Sequence, residues 1–392
     1  MGAIPKLVRN APREGLQEFL DAQECPLCER LRSFGPEDDY AGPLLKAVDE
    51  LSDEEHARLT DNADRVIQMA TEVGQSALLS VVQDRLLVEE LENAYARSLW
   101  VFLNEHDSFG RAEEVCYTDG HRHGARMWSG YEGPRGLVPD AGAATVGAFE
   151  QAARKLFGSL KAHCEMYRRT RPNLDQPDSE LHQLTLFHDD LPDTYLEFEL
   201  EKERPVRRHR RPVVEVSITY EPATGVIEVV ASVGKLRDQL ARIFADTILR
   251  QEIAAERIAL RRFDLSRLLQ SFDFPFDPAD GIESVKLVLL RLHQLNNPKR
   301  RLTLECPRRA DGTIWDQACE TLTHGADLVG AGYVATKATL SIKFLAGAGG
   351  RRGETLTFNI TLPSGSDLKS QTERQRLVGE RYVKSWGLLV DV

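Results

Sequence analysis

The chain has 392 residues, is 42% hydrophobic and carries a formal net charge of -11. That length can bury a sizeable core and suits two or three domains, while the acidic balance argues against a surface that is one large nucleic-acid footprint. No apolar run approaches the roughly 18 residues of a membrane span, residues 1–15 lack the apolar core of a secretory signal, and six cysteines, four of them scattered singly, are too few for a disulfide framework, so a cytoplasmic protein with no membrane contact is expected.

Residues 1–42 mix charge, proline and glycine, and predict only a short helix from Glu14 to Gln23. At Ser52 the character changes. Ser52 and Glu55 form a capping box, and Leu59, Val66, Ile67, Ala70 and Val73 follow at helical spacing. Gly74 either breaks this helix or weakens it, because the pattern resumes at Leu78 and runs through Leu91 to Trp100 and Phe102, as an αα-hairpin or one very long helix. Residues 105–140 then lose periodicity and collect Gly, His, Asp and Pro, which predicts a long loop or irregular insert. Asp140 stands where it caps a further helix running through Phe149, Ala153, Leu156, Leu160 and Tyr167. Pro-rich, polar residues 170–180 mark a domain boundary. The first domain is therefore helical, residues 1–171, with the irregular insert at 105–140.

Past that boundary strands dominate. Gln183–Leu186 and Tyr195–Leu200 alternate, and Val214, Val216, Ile218 and Tyr220 fall on one side of an extended chain, the pattern of a half-buried strand. Glu221-Pro222-Ala223-Thr224-Gly225 reverses it into a return strand from Val226 to Ala231. The expectation is a four-strand antiparallel meander covered by an amphipathic helix from Gly234 to Gln251. A second strand-rich run covers 258–265, 284–292, 301–306, 333–344 and 354–362, with a helix at 314–322 that Thr313 caps and a terminal helix at 372–386 closed by Gly387. The fold class is α+β: a helical N-terminal region followed by an antiparallel, strand-rich region at 181–392, in which 182–252 and 258–392 are candidates for two related units.

Chemical signals are few. Cys25-Pro26-Leu27-Cys28 is a tight turn able to present two thiolates to a tetrahedral zinc ion, and Cys116 with His121 or His123 is the remaining Cys/His cluster in the helical half. These five residues are the candidate ligands of a structural Zn2+ site; the alternative is a metal-free cysteine pair and surface histidines. Arg207, Arg208, Arg210 and Arg211 form a basic run that can track phosphates, extended by Lys299, Arg300 and Arg301, although glutamates on the preceding strand offer local partners instead. No P-loop, dinucleotide fingerprint, nucleophile elbow or zincin motif is present, and the glycine-rich stretch 347–353 lies between strands, where a hairpin loop is expected.

Three functional readings follow. The first is a non-enzymatic interaction or accessory subunit of a bacterial multi-protein assembly, its partner another protein or a further copy of itself. The second is a metal-dependent hydrolase or nuclease with its site in the insert, built on Asp119, His121 and His123. The third is a nucleic-acid-binding protein that uses the arginine run.

Overall fold

The computed structural model describes residues 2–390 apart from 36–37, 123–125, 173–177, 199–203, 259–261, 311, 323–327, 347–352 and 369–370. Residues 347–352 of the glycine-rich stretch, His123 and part of the 170–180 segment lie among those not described. The chain is α+β, helices first and antiparallel sheets after, and its buried apolar residues gather into three clusters.

The first cluster belongs to helices α1 (Ala3–Asn10), α2 (Arg13–Ala22), α3 (Leu27–Arg32), α4 (Ala41–Val48), α5 (Asp53–Met69), α6 (Glu72–Val81), α7 (Arg85–Glu90), α8 (Ala94–Asn104) and α9 (His106–His121). The N-terminus is thus more ordered than its composition suggests. Each of its four helices has ten residues or fewer, too short for a visible period, and draws its stability from packing Leu7, Leu16, Phe19, Leu31 and Leu44 into a common core. Arg13 reinforces this by donating to the carbonyls of Leu31, Phe34 and Gly35 at the end of α3. The Ser52–Glu55 capping box starts α5 as expected. Gly74 is where the long pattern is cut: a β-carbon there would lie 2.4 Å from the Gln68 carbonyl oxygen and the Met69 Cα, so α6 can turn back against the end of α5 only with glycine. Thr71 caps the new helix by accepting from the Gly74 N–H at 3.2 Å.

The predicted irregular insert contains the sixteen-residue helix α9 and strand β1 (Trp128–Glu132). Its period is hidden because opposite sides of α9 bury unlike chemistry. Phe109, Ala112 and Val115 pack into the helical core, whereas Glu114, Thr118 and Asp119 meet polar side chains of a sheet. The next helix, α10 (Ala143–Phe157), stops at Gly158 (φ +67°), and the expected continuation through Leu160 and Tyr167 is instead strand β2 (Ala162–Arg171).

β2 joins β3 (Ser179–Asp189), so the strands on either side of the 170–180 segment pair with each other. The chain then makes an excursion, β4 (Asp193–Phe198) and β5 (Pro205–Arg210), before β6 (Val213–Glu221) and β7 (Val226–Val230). The central sheet is antiparallel in the order β1-β7-β6-β3-β2. The expected hairpin is its middle, with Tyr220 opposite Ile227 and Gly225 at φ +77°. The four-strand meander is corrected, however: β6 pairs directly with β3, and β4 pairs only with β5, outside the sheet. One face of the sheet buries Leu184, Leu186, Val216, Ile218, Ile227 and Val229 under α10 and α11 (Gly234–Phe244), which runs on into a π-helical turn at Ala245–Leu249. The other face lies against α9, so β6 is buried on both sides and not on one.

The remaining unit is a sheet of order β10-β9-β11-β12-β13, from β9 (Ile282–Gln294), β10 (Asn297–Glu305), β11 (Tyr333–Phe344), β12 (Thr355–Thr361) and β13 (Gly365–Ser366), with a short ribbon of β8 (Arg262–Phe263) and β14 (Leu389–Val390). α12 (Ile314–Thr321) carries the Thr313–Asp316 capping box, and α13 (Glu373–Ser385) buries Val378, Tyr382 and Trp386 in the third core before Gly387 (φ +66°) ends it. No described helix is long and apolar enough to cross a membrane.

Candidate functional site

Two features stand out once the elements are placed: a polar layer buried between α9 and the central sheet, and the β4–β5 ribbon that projects from it.

The polar layer arises because the strand period sends alternate residues of β2, β3, β6 and β7 toward α9, and those residues are Tyr167, Arg169, Arg171, Gln183, Thr185, Ser217, Thr219 and Glu228. Arg169 donates through its two terminal nitrogens to Asp119 at 3.0 and 2.8 Å and through Nε to Gln183 Oε1 at 2.7 Å. Arg171 bridges Asp119 (3.2 Å) and Glu228 (2.9 Å), and Glu228 also accepts from Arg122 Nε at 2.7 Å and Thr219 Oγ1 at 3.1 Å. Thr118 Oγ1 donates to Ser217 Oγ at 2.7 Å and accepts from Gln183 Nε2 at 3.0 Å. Burial works against ionisation of the Asp119 carboxyl, but the Arg169 and Arg171 guanidinium groups outweigh it and hold the group well below the usual carboxylate range. At the other end of the layer the balance reverses. Glu215 meets burial and the charges of Glu114 and Glu113, its Oε1 has no hydrogen-bond partner among the described residues, and its pKa is pushed up to about 8, so it holds a proton at neutral pH.

The ribbon lies outside all three cores. Asp193–Phe198 is exposed along its whole length, and so are Arg207, Arg208, His209 and Arg210. Directly opposed residues share a face. Tyr195 opposite Arg208, Glu197 opposite Val206 and Asp193 opposite Arg210 make one face, where the acids are spent on the bases: Arg208 lies 3.5 Å from Glu197, Arg210 lies 3.6 Å from Asp193, and Arg210 also covers the Tyr195 ring. The other face carries Leu196 opposite Arg207, Phe198 opposite Pro205 and Thr194 opposite His209, with no carboxylate among the described residues. Leu196 is 63% and Phe198 70% exposed, and Leu191 and Val213 at the base are exposed too. That base is fixed: Asp190 N–H donates to Pro212 O at 2.9 Å, and Arg211 pairs with Asp189 at 2.9 Å.

The arginine run therefore divides. Arg207, Arg208 and Arg210 sit on the ribbon, whereas Arg211 is committed to Asp189. Lys299, Arg300 and Arg301 are exposed on β10, the edge strand of the C-terminal sheet, so the two basic groups belong to different sheets.

The zinc candidates are dispersed among different elements. Cys25 and Cys28 are buried in the helical core at the α2–α3 corner, where Cys28 Sγ donates to Asp21 Oδ1 at 3.1 Å, and burial raises both thiols, Cys28 to about 11. Cys116 lies on α9, raised to about 12 by burial and by Asp119. His121 ends α9, its Nδ1 2.9 Å from Tyr117 O and its ring against the Tyr117 ring. Among the described residues no three His, Cys, Asp or Glu side chains are gathered as a metal ion requires; His123 lies outside them. Asp119, proposed with the histidines for metal-assisted hydrolysis, has both oxygens engaged by arginines.

The polar layer was not foreseen from the sequence. Its one signal was the run of Thr219, Ser217 and Glu215 on the strand face read as solvated, a pattern equally compatible with a buried polar face. No protein-family model matches the chain, and no curated protein matches it in sequence.

Proposed function

We propose that this chain is a non-enzymatic interaction subunit that docks a partner protein through the β4–β5 ribbon. The observation that carries the reading is the ribbon face on which no described residue is a carboxylate. Leu196 and Phe198 stand exposed beside Arg207 and His209, on a two-stranded element of a kind only marginally stable alone in water. A protein surface that is apolar at its centre and acidic at its rim complements it. The opposite face neutralises itself, which orients the ribbon and restricts docking to one side. The buried polar layer acts in this reading as a rigid mount, because each arginine is held from more than one direction.

A second reading has its own support. An exposed phenylalanine diagonal to an arginine on a ribbon is also a means of stacking a nucleobase and contacting a phosphate.

A photo-crosslinking residue at position 196 separates the two when the adduct formed in the native host is digested with protease or nuclease. The proposal expects a discrete protein adduct, absent when the crosslinker is moved to position 208 and lost when F198E accompanies the crosslinker at position 196, at unchanged thermal stability. A nuclease-sensitive adduct establishes the second reading instead, and equal adducts from both positions overturn the one-sided docking face.

A further inference from the structure

The polar layer opens at one end into a cavity of about 110 Å3 where α6, the end of α9, the end of β2 and α13 meet, so that it touches both the helical body and the C-terminal unit. Its lining is cationic for a chain of net charge -11: Arg122, Arg169, Arg171 and Arg376 line it with Asp119 and Glu380.

Those acids are already engaged. Asp119 is held by Arg169 and Arg171, and Glu228, just behind the wall, accepts from Arg122, Arg171 and Thr219. Arg171 remains incompletely satisfied. Its side chain is 9% exposed, and its Nε has no hydrogen-bond partner among the described residues. Buried donors of this kind are costly to leave unpaired, and a guanidinium cannot shed its charge to escape the cost. At the rim Arg376 pairs with Glu380, one turn along its own helix, at 3.7 Å. Ser76 and Ser80 supply hydroxyls from α6.

We propose that this cavity binds a phosphate group, free or as the monoester of a small molecule, and that binding clamps α13 onto the helical body. A tetrahedral oxyanion presents acceptors out of one plane, which suits guanidinium groups arriving from β2, from beyond α9 and from α13, whereas a planar carboxylate satisfies a single fork. The cavity has room for such a group, since a water molecule needs about 10–15 Å3 by the same measure. The clamp follows from the cavity's position, with Ser76 and Ser80 of α6 on one wall and Arg376 of α13 on another. The Arg374 backbone N–H of α13 donates to Glu72 Oε1 of α6 at 3.2 Å, and an anion held by Arg171 and Arg376 together adds a charge-assisted bridge.

The test is calorimetric titration of the full chain with inorganic phosphate at constant ionic strength, with sulfate, phosphoserine and malonate as comparisons, alongside hydrogen exchange of the α13 amides. Expected are saturable binding of one phosphate per chain, slower exchange in α13, and affinity lowered roughly tenfold to a hundredfold in R376A. That residue is partly exposed and ion-paired within its own helix, so R376A is chosen to keep the fold, which far-ultraviolet circular dichroism checks. Preference for phosphoserine over inorganic phosphate identifies a monoester ligand; the reverse identifies the free ion. No saturable binding by roughly 10 mM phosphate, affinity unchanged in R376A, or tighter binding of malonate would each overturn the site. Binding without slower exchange in α13 would overturn the clamp.

Discussion

Glu228→Gln tests whether the polar layer is a structural mount. Glu228 is 4% exposed, and its carboxylate accepts from Arg122, Arg171 and Thr219 at 2.7, 2.9 and 3.1 Å. Glutamine preserves the shape but replaces one acceptor with a donor facing a guanidinium, and leaves Arg171 with Asp119 as its remaining carboxylate. Removing one partner of a buried pair typically costs ~3–5 kcal/mol, and because one acceptor survives the lower end, about 3 kcal/mol, is expected. For a unit of this size that is a fall of roughly 6–12 °C in thermal midpoint. Near-ultraviolet circular dichroism during heating reads it, and hydrogen exchange in β7 localises it. The double variant R171M/E228M removes both charges together, and apolar replacement of a whole buried pair is often near neutral, so it should be more stable than E228Q. An E228Q midpoint within about 1 °C of the parent, or a double variant worse than both singles combined, would refute the argument.

The layer also sets a pH window. Glu215 has a folded pKa of about 8, above its unfolded value, so the folded state retains a proton that the unfolded state gives up. Stability from this group is full below the unfolded pKa and declines as pH rises toward 8; E215Q should remove that decline, and an unchanged urea midpoint profile between pH 6 and 9 would contradict it. Asp119 contributes in the opposite direction: its pKa is depressed, so its contribution is present above the unfolded carboxylate range and fades as pH falls below it, and D119N should flatten the acid limb of the same profile. Gly74→Ala forces a β-carbon to 2.4 Å from the Gln68 carbonyl oxygen and should lower stability by ~1–3 kcal/mol, checked by urea unfolding. Cys319 is exposed whereas Cys25, Cys28 and Cys164 are buried with raised pKa values, so a thiol reagent at pH 8 should label Cys319 first and those three only on unfolding, as peptide mass mapping can show.

Legibility in the sequence followed the kind of burial. The 213–230 hairpin, both capping boxes and the Val378–Tyr382–Trp386 stripe were readable because each contrasts apolar with polar at a fixed period or uses a residue with one strong backbone preference. α9 and β2 were not, because each has a polar side that is buried: Thr118 and Arg169 look solvated until the facing surface is known. The ribbon was misplaced for a related reason. Leu196 and Phe198 alternate as a core strand does, yet they point into solvent, and nothing within Tyr195–Phe198 distinguishes an unburied apolar row from a buried one. The arginines after it were visible as a group, but the division into a self-neutralised and an uncompensated side depends on the register with β4.

The direct pairing of β3 with β6 has a consequence for how the molecule is assembled. Asp189 already faces Val213 across the sheet, so the chain leaves and re-enters at adjacent positions, and the whole excursion between them is topologically a long turn. Such a piece can lengthen, shorten or be exchanged without altering the order of any strand behind it. The ribbon's surface is free to diversify while the scaffold that carries it stays fixed.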